Sequence, residues 1–348
     1  MNVNWWGWNN TMSGYGIVNL EYSTALERLT GGVSVGWERK NDMHQSGYES
    51  LTDEQRKLID KPFNQERVGI IKTTPQMFFK CKNDFRIGYT MVENTKINKE
   101  WVELCNKMNA IFVPSPYLVK VFQDCGVTVP VRVVHQGIDS KRFKYVKRGK
   151  RKKFTFGIIG YMDERKNWKD LVQAFHSEFA PFEPVELLIK NNNKYFDYMV
   201  FDDPRIKVIN GNMPGDGIVN LYKNFDCFVF PSHAEGSGLP PREAMATGLP
   251  VIMTNWSGLE EICDSNYNYP IDPIAIDFVD VRGKEQPGFQ ARIDVRELMY
   301  WMRYVYEHQT EAQKKGQKAS KWIHKEWNWD TCAKDLLKKA EEVSGYNG

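Results

Sequence analysis

Residues 230–246 of the chain read FPSHAEGSGLPPREAMA, and this stretch decides the fold. The apolar run at 227–230, just before it, is typical of a buried strand. Gly236 and Gly238 then allow a tight turn, and the Pro-Pro pair suits the first turn of a helix that Gly248 ends. The order of strand, glycine turn and helix is that of a parallel α/β sheet.

A glycine turn at the start of a helix favours an anion. Backbone N–H groups and the positive end of the helix dipole point at the ligand above the turn, which suits phosphate. Glu235 and Glu243 would repel a phosphate, so they are better suited to hydroxyl groups on either side of a diphosphate. Sugars and riboses carry vicinal diols of this kind. The stretch therefore predicts a sugar-nucleotide site, whereas the simpler alternative is a capped helix with surface acids.

The same stretch resembles the paired-glutamate (E-x7-E) signature of family 4 glycosyltransferases, whose usual wording is close to E-G-F-G-L-P-x-x-E-A-M-A-x-G-x-P-V. Two positions depart from it, because Ser237 stands where an aromatic residue is common and Arg242 where an apolar one is common. The resemblance implies an α/β protein of the GT-B fold, with two Rossmann-like domains, a deep interdomain cleft and a C-terminal helix that crosses back to the first domain. It also implies a retaining enzyme that moves a sugar from a nucleotide diphosphate to an acceptor hydroxyl.

A second element of the same kind follows the apolar strand pattern at 154–160. Its loop contains Arg165 and Lys166 and leads into a helical run. It resembles the Arg-Lys-Asn element of the family, in which the two cations hold the donor diphosphate. Negative charge builds on the departing phosphate, so fixed cations help most in the transition state. Taken alone, such a pair is usually a solvated surface feature.

The resemblance assigns roles to individual residues. Arg165, Lys166 and Glu235 are expected to be catalytic, because the cations stabilise the leaving diphosphate and the carboxylate orients the donor sugar. Glu243 is expected to hold the ribose diol, and Glu93, at the end of another strand, is the acceptor-side candidate. The residues expected to bind the donor are Gly14, Gly16, Gly137, Arg165, Lys166, Asn212, Glu235, Gly236, Ser237, Gly238, Leu239 and Glu243. For the glycine pair at 14 and 16, and for Asn212, an ordinary turn is the alternative.

Length and patterning agree with two domains. The chain has 348 residues, 41% of them hydrophobic and 26% charged, which is enough for two separate cores. Strand-like runs alternate with helical stretches in both halves. The predicted strands lie at 2–6, 67–71, 85–91, 110–114, 131–135, 154–160, 185–190, 206–210, 227–230 and 251–254. The polar stretch between the halves marks the domain boundary. The first predicted domain holds residues 1–145 and a final helix at 325–348, and the second holds residues 146–324.

The remaining composition limits the partners. A net charge of +3 implies no general affinity for nucleic acid or acidic membranes. Six scattered cysteines and the lack of a signal peptide or long apolar run favour a reducing, cytoplasmic location. No metal or other cofactor is expected, since cations and a helix dipole do the work of a divalent ion. The expected donor is a UDP- or GDP-linked sugar.

Basic residues are concentrated in the stretch 144–153. The simplest interpretation is a solvated linker, but peripheral contact with an anionic membrane or with nucleic acid stays open. A saccharide or lipid-linked saccharide is the expected acceptor. The alternatives are a glycosyltransferase acting on a modified base in DNA, and a nucleotide-sugar epimerase or phosphorylase of the same fold.

Overall fold

The computed structural model describes residues 1–9, 13–37, 48–149, 151–192, 201–213, 215–279 and 288–346. The described chain divides into two compact units. The first holds residues 1–139 and the segment from Trp327 onward, and the second holds the described chain between Ser140 and Glu326. The sequence-based division placed residues 140–145 and 325–326 in the first domain.

The first unit is built on a parallel sheet. Its described strands are β1 (Val3–Gly7), β2 (Val33–Val35), β3 (Val68–Lys72), β4 (Phe85–Tyr89), β5 (Ala110–Val113) and β6 (Val131–Val133). They follow the order β2-β1-β3-β4-β5-β6, and every described pair is parallel. The helices between them are α1 (Gly14–Thr30), α2 (Asp53–Asp60), α3 (Lys99–Asn106) and α4 (Pro116–Asp124). Strands buried on both faces explain the continuous apolar runs of the sequence.

The second unit repeats this architecture. Its described strands are β7 (Phe154–Gly160), β8 (Val185–Asn191), β9 (Ile206–Asn210), β10 (Cys227–Phe230), β11 (Val251–Thr254) and β12 (Tyr269–Ile271). They are parallel in the order β12-β11-β10-β7-β8-β9, and an antiparallel pair, β13 (Ala275–Val279) and β14 (Gly288–Arg292), stands apart. The helices are α5 (Trp168–Glu178), α6 (Gly215–Asn224), α7 (Leu239–Ala246), α8 (Val295–Glu307) and α9 (Gln309–Glu326). Within the described ranges, no helix is long and apolar enough to cross a bilayer.

The last helix, α10 (Trp329–Ser344), belongs to the first unit and packs on α1. Its N-cap is Asn328, whose side chain accepts from the N–H of Thr331. The N–H of Ile138 donates to the carbonyl of Trp327 at 2.7 Å. The ring of Trp329 meets that of Tyr22 edge to face, with centroids 5.0 Å apart. The segment from Trp327 onward therefore belongs to the fold of the first unit.

Gly137 lies where the two chain segments of the first unit meet. A Cβ atom there would lie 2.7 Å from the backbone nitrogen of Trp329 and 2.9 Å from the carbonyl carbon of Asn328. Backbone atoms move only at a cost, so we expect Gly137→Ala to lower the free energy of unfolding by about 2 kcal/mol. The control is Gly149→Ala, because a Cβ at Gly149 meets nothing within 4 Å. Urea denaturation measures both variants, and equal midpoints would contradict this packing argument.

Candidate active site

Arg165, Lys166 and Glu235 come together in the second unit. The two cations lie in a short 3-10 turn, Glu164–Lys166, between β7 and α5, whereas Glu235 lies in the loop between β10 and α7. Because β7 and β10 are neighbouring parallel strands, the loops after their carboxyl ends meet at one edge of the sheet. We call these three residues the ion-pair cluster.

One carboxylate oxygen is the centre of the ion-pair cluster. Lys166 Nζ donates to Glu235 Oε1 at 2.5 Å, and Arg165 Nη1 lies 2.8 Å from the same oxygen. The hydroxyl of Ser232 also donates to this oxygen, at 2.6 Å. Sequence reasoning missed Ser232, since its role depends on the course of the loop.

The ion-pair cluster is buried and carries an excess of positive charge. The side chains of Arg165, Lys166 and Glu235 are only 13%, 7% and 8% exposed. Burial alone would raise the pKa of Glu235, but the charges of Arg165 and Lys166 outweigh it and hold that pKa below its ordinary value. Burial lowers the pKa of Lys166, and the charge of Glu235 opposes this shift. Two cations share one carboxylate, so the cluster favours a further anion.

Hydrogen bonds fix the backbone around the ion-pair cluster. The guanidinium of Arg165 donates to the carbonyl of Ala234 at 2.8 Å, and the N–H of His233 donates to the carbonyl of Arg165 at 2.8 Å. The N–H of Glu235 donates to the hydroxyl of Ser257 at 2.8 Å. Ser257 has a φ of 59°, which is uncommon for a residue with a side chain. These bonds hold the two loops in one geometry.

The predicted strand, glycine turn and helix are all present beside the ion-pair cluster. Gly238 is the N-cap of α7 and has a φ of 82°, in the left-handed region that favours glycine. A Cβ atom at Gly238 would lie 2.4 Å from Leu259 Cδ2, so the position is also crowded. α7 therefore begins directly after the loop that carries Glu235. Gly236 and Ser237, which lie between Glu235 and the N-cap of α7, are buried.

The two departures from the family signature contact each other. Arg242, in α7, is fully buried and donates through Nη1 to the hydroxyl of Ser237 at 2.9 Å. The same nitrogen donates to the carbonyl of Ser237. The larger polar side chain at 242 is therefore matched by the smaller polar one at 237. The signal in the sequence was that both departures fall within the same motif, five residues apart.

Glu243 lies further along α7 and is half-buried. Its Oε2 accepts a hydrogen bond from the hydroxyl of Tyr222 at 2.8 Å. Tyr222, in α6, is fully buried, and burial raises its pKa well above the ordinary value, so it stays a neutral donor. Sequence reasoning missed Tyr222, because an aromatic residue in an amphipathic helix indicates only a core position.

The predicted site residues of the first unit, three donor-binding glycines and the acceptor-side candidate Glu93, lie at separate places within it. Gly14 and Gly16 belong to the first turn of α1, so the structure places them inside the helix and not in a turn before it. The side chain of Ser13 is the N-cap of this helix and accepts a hydrogen bond from the N–H of Gly16. The helix therefore begins at Gly14. Gly137 is packed against the start of the last helix, and Glu93 is half-buried after β4. Their binding roles stay predictions.

Asn212 lies in the second unit after β9 and is exposed. It follows Gly211, which has a φ of 86°. The ammonium of Lys190, at the end of β8, donates to the carbonyl of Gly211 and to Asn192 Oδ1. Lys190 therefore fixes the turn before Asn212, and the contact of Asn212 with a base stays a prediction.

The basic stretch 144–153 is not simply a solvated linker. Arg148 is buried and donates to the carbonyls of Tyr222 at 2.9 Å, Phe225 at 3.1 Å and Thr247 at 2.8 Å. Arg151 donates to the carbonyls of residues 223 and 224, the last two of α6. The linker interpretation is wrong for these two arginines, because they satisfy carbonyl groups inside the second unit.

The region that contains the site matches a known family. Residues 138–276 match the family described as Glycosyl transferases group 1. The chain is 32% identical over 114 residues to O-antigen chain mannosyltransferase B of Escherichia coli, covering 30% of this chain and 29% of that protein. It is 32% identical over 112 residues to the capsular polysaccharide biosynthesis glycosyltransferase CapM of Staphylococcus aureus, again covering 30% and 29%. The matched region thus spans less than a third of the length of these relatives.

Solved structures resemble the whole chain. Sucrose-phosphate synthase from Thermosynechococcus elongatus matches with a TM-score of 0.71 at 14% identity, covering 99% of this chain and 100% of that one. Anabaena Alr3699/HepE in complex with UDP-glucose matches with a TM-score of 0.71 at 12% identity, covering 98% and 100%. Similarity at this identity concerns the fold. The predicted α/β class with two Rossmann-like, parallel-sheet domains of the GT-B type is confirmed.

Proposed function

We propose that this protein is a retaining glycosyltransferase that moves a sugar from a nucleotide-diphosphate sugar to an acceptor hydroxyl. The observation that carries the proposal is the buried ion-pair cluster of Arg165, Lys166 and Glu235 beside the N-terminus of α7. The family match covers this part of the chain, and the structural neighbour HepE is described with UDP and with UDP-glucose. Both support a nucleotide sugar as donor, UDP- or GDP-linked.

The cations would act on the leaving group. When the bond between the sugar and the diphosphate breaks, its electron pair goes to a phosphate oxygen, where negative charge develops. Arg165 and Lys166 are held in place before this charge appears, so they stabilise it without reorganising. Backbone N–H groups at 237–239 and the dipole of α7 act in the same direction. We therefore propose that transfer needs no metal, and added chelator is expected to leave turnover unchanged.

Glu235 would have two tasks. First, its Oε1 contacts Lys166, Arg165 and the hydroxyl of Ser232, and these contacts keep both cations in position. Among the described residues, no hydrogen bond to Oε2 is found, so this oxygen can accept from a hydroxyl of the donor sugar. We assign the ribose diol to Glu243, because Tyr222 fixes the direction of that carboxylate. Retention of configuration rests on the family resemblance, and a saccharide or lipid-linked saccharide is our proposed acceptor.

The first test is nucleotide binding by the full chain. We expect UDP or GDP to raise the melting temperature of the wild type, since a ligand of the folded state stabilises it. Arg165→Met should weaken nucleotide binding by about 10-fold, as expected for a lost charged hydrogen bond. The matched control is Lys169→Met, because Lys169 is exposed nearby and forms an ion pair with exposed Glu164.

Measuring turnover with and without an acceptor distinguishes a transferase from other enzymes of this fold. A transferase releases free UDP or GDP in step with transfer when an acceptor is added, whereas an epimerase converts the nucleotide sugar without any acceptor. Absence of nucleotide binding in the wild type would contradict the proposed function. Equal binding by Arg165→Met and the wild type would contradict the role of the cation.

A further inference from the structure

Arg242 is a fully buried arginine beside the ion-pair cluster. It is the fourth residue of α7 and is 0% exposed. Burying a guanidinium is costly unless its N–H groups find acceptors. The family signature commonly has an apolar residue here, which would fill the space without that cost. We therefore looked for a function that an arginine at this position provides and an apolar residue does not.

Arg242 contacts the peptide group that precedes the N-cap of α7. Its Nη1 atom donates to the carbonyl of Ser237 and, at 2.9 Å, to the hydroxyl of the same residue. The peptide bond between Ser237 and Gly238 is trans, so this carbonyl and the N–H of Gly238 point in opposite directions. Because the carbonyl faces the guanidinium, the N–H of Gly238 faces away from it.

The local sequence leaves the direction of this peptide group open. Gly238 has a φ of 82°, and glycine adopts positive and negative φ about equally well. A peptide group next to a glycine can take two opposite directions, which is the difference between type I and type II turns. The N-cap of α7 is this glycine, and it makes no side-chain capping bond. Arg242 therefore supplies a constraint that the turn itself lacks.

The N–H of Gly238 is available to a ligand. Gly238 is buried, yet no hydrogen bond from its N–H is found among the residues that the structure describes. Buried backbone N–H groups are nearly always paired in folded proteins. Pro240 and Pro241 have no N–H, so the first turn of α7 offers few other donors. An unpaired N–H that is held in one direction suits an oxyanion.

We propose that Arg242 is a positioning residue, which holds the carbonyl of Ser237 so that the N–H of Gly238 faces the diphosphate of the donor. The inference rests on the proposed function and adds to it a residue that acts through the backbone, without touching the donor. When negative charge develops on the leaving phosphate, the N–H of Gly238 already has its direction and does not have to reorganise.

Steady-state kinetics of the full chain test the effect on turnover. The probes are UDP-glucose and GDP-mannose, and release of the nucleoside diphosphate is measured for the wild type and Arg242→Met. Methionine is flexible enough to fill the space that arginine leaves. We expect kcat to fall by about 10–100-fold, as for the loss of one charged hydrogen bond, and KM to stay within about 3-fold. A folded Arg242→Met with wild-type kcat would overturn the inference.

Arg205→Met is the matched control for the loss of a buried arginine. Arg205 is also buried and donates to backbone carbonyls, those of Phe179 at 3.0 Å and Ala180 at 2.7 Å. It lies just before β9, at the opposite edge of the sheet from the ion-pair cluster. We expect Arg205→Met to lower the melting temperature and to keep wild-type kcat. Equal losses of kcat in Arg205→Met and Arg242→Met would show a general effect of lost packing and would overturn the inference.

Crystal structures test the direction of the peptide group without any assay of activity. In Arg242→Met we expect the carbonyl of Ser237 to turn away from its wild-type direction. Arg242→Gln is the second variant if Arg242→Met does not fold, because its shorter side chain also loses this carbonyl. A wild-type direction in the folded variant would overturn the inference while the proposed function stands. Conversely, a wild type that neither binds nor turns over a nucleotide sugar would contradict the proposed function, whatever the direction of this peptide group.

Discussion

Lys166→Met is expected to lower the turnover of the sugar donor by about 10²–10³-fold, the usual effect of removing one preorganised group that stabilises developing charge. Lys166 is the more buried of the two cations and has the shorter contact with Glu235, at 2.5 Å. The loss should fall on kcat more than on KM, because the negative charge that Lys166 stabilises is largest in the transition state.

Steady-state kinetics with a saturating acceptor measure this effect. Lys169→Met removes an exposed lysine three residues away and should keep wild-type kinetics. A melting temperature close to that of the wild type would show that Lys166→Met is folded. A folded variant with wild-type kcat would contradict the role of Lys166 in the leaving-group step.

Glu235→Gln is expected to lower the free energy of unfolding of the second unit by about 3 kcal/mol, because it leaves two buried cations without their carboxylate. Glutamine has nearly the same shape, so the loss reports charge and not volume. Glu164→Gln removes an exposed carboxylate that pairs with Lys169, and it should change stability by less than about 0.5 kcal/mol. Urea denaturation at pH 7 compares the two variants.

The effect of Glu235→Gln should depend on pH in a definite direction. The pKa of Glu235 in the folded protein lies below its ordinary value of 4.5. The stabilisation is therefore fully present above pH 4.5 and is lost as the pH falls through the folded-state pKa. The stability difference between the wild type and Glu235→Gln should shrink below pH 4.5. A difference that grows on acidification would contradict the ionised state of Glu235.

The buried strands could be predicted closely from the sequence. The predictions at 154–160, 206–210, 227–230 and 251–254 match β7, β9, β10 and β11 to the residue. β7, β10 and β11 are buried and rich in apolar residues, so their ends are visible, whereas β9, at the edge of the sheet, is mostly half-buried or exposed. The predicted strand at 85–91 was too long, since β4 ends at Tyr89 and the apolar residues after it lie in a loop.

The elements that were missed lack this signal. β2 and β12 have only three residues each, and neither was recognised as a strand from the sequence. The pair β13 and β14 exposes Ile276 and Phe278, so its apolar residues do not indicate a core. For α2 the sequence did carry a signal, a capping box of Thr52 and Gln55, but its helix has few apolar residues.

The ion-pair cluster could be predicted because its members fall within two recognisable motifs. The contacts of Ser232 and Ser257 could not, since serine is common in loops and its partner is set by tertiary structure.

The return of the chain end to the first unit has a consequence for biosynthesis. A ribosome makes the N-terminal part of this unit first, but Trp329 and the helix that covers α1 follow only after the second unit. Until then, the surface around Tyr22 has no cover, whereas the second unit is synthesised without such an interruption. The nascent chain therefore completes its second unit before its first one, and truncation before Trp329 should leave α1 exposed to chaperones and proteases.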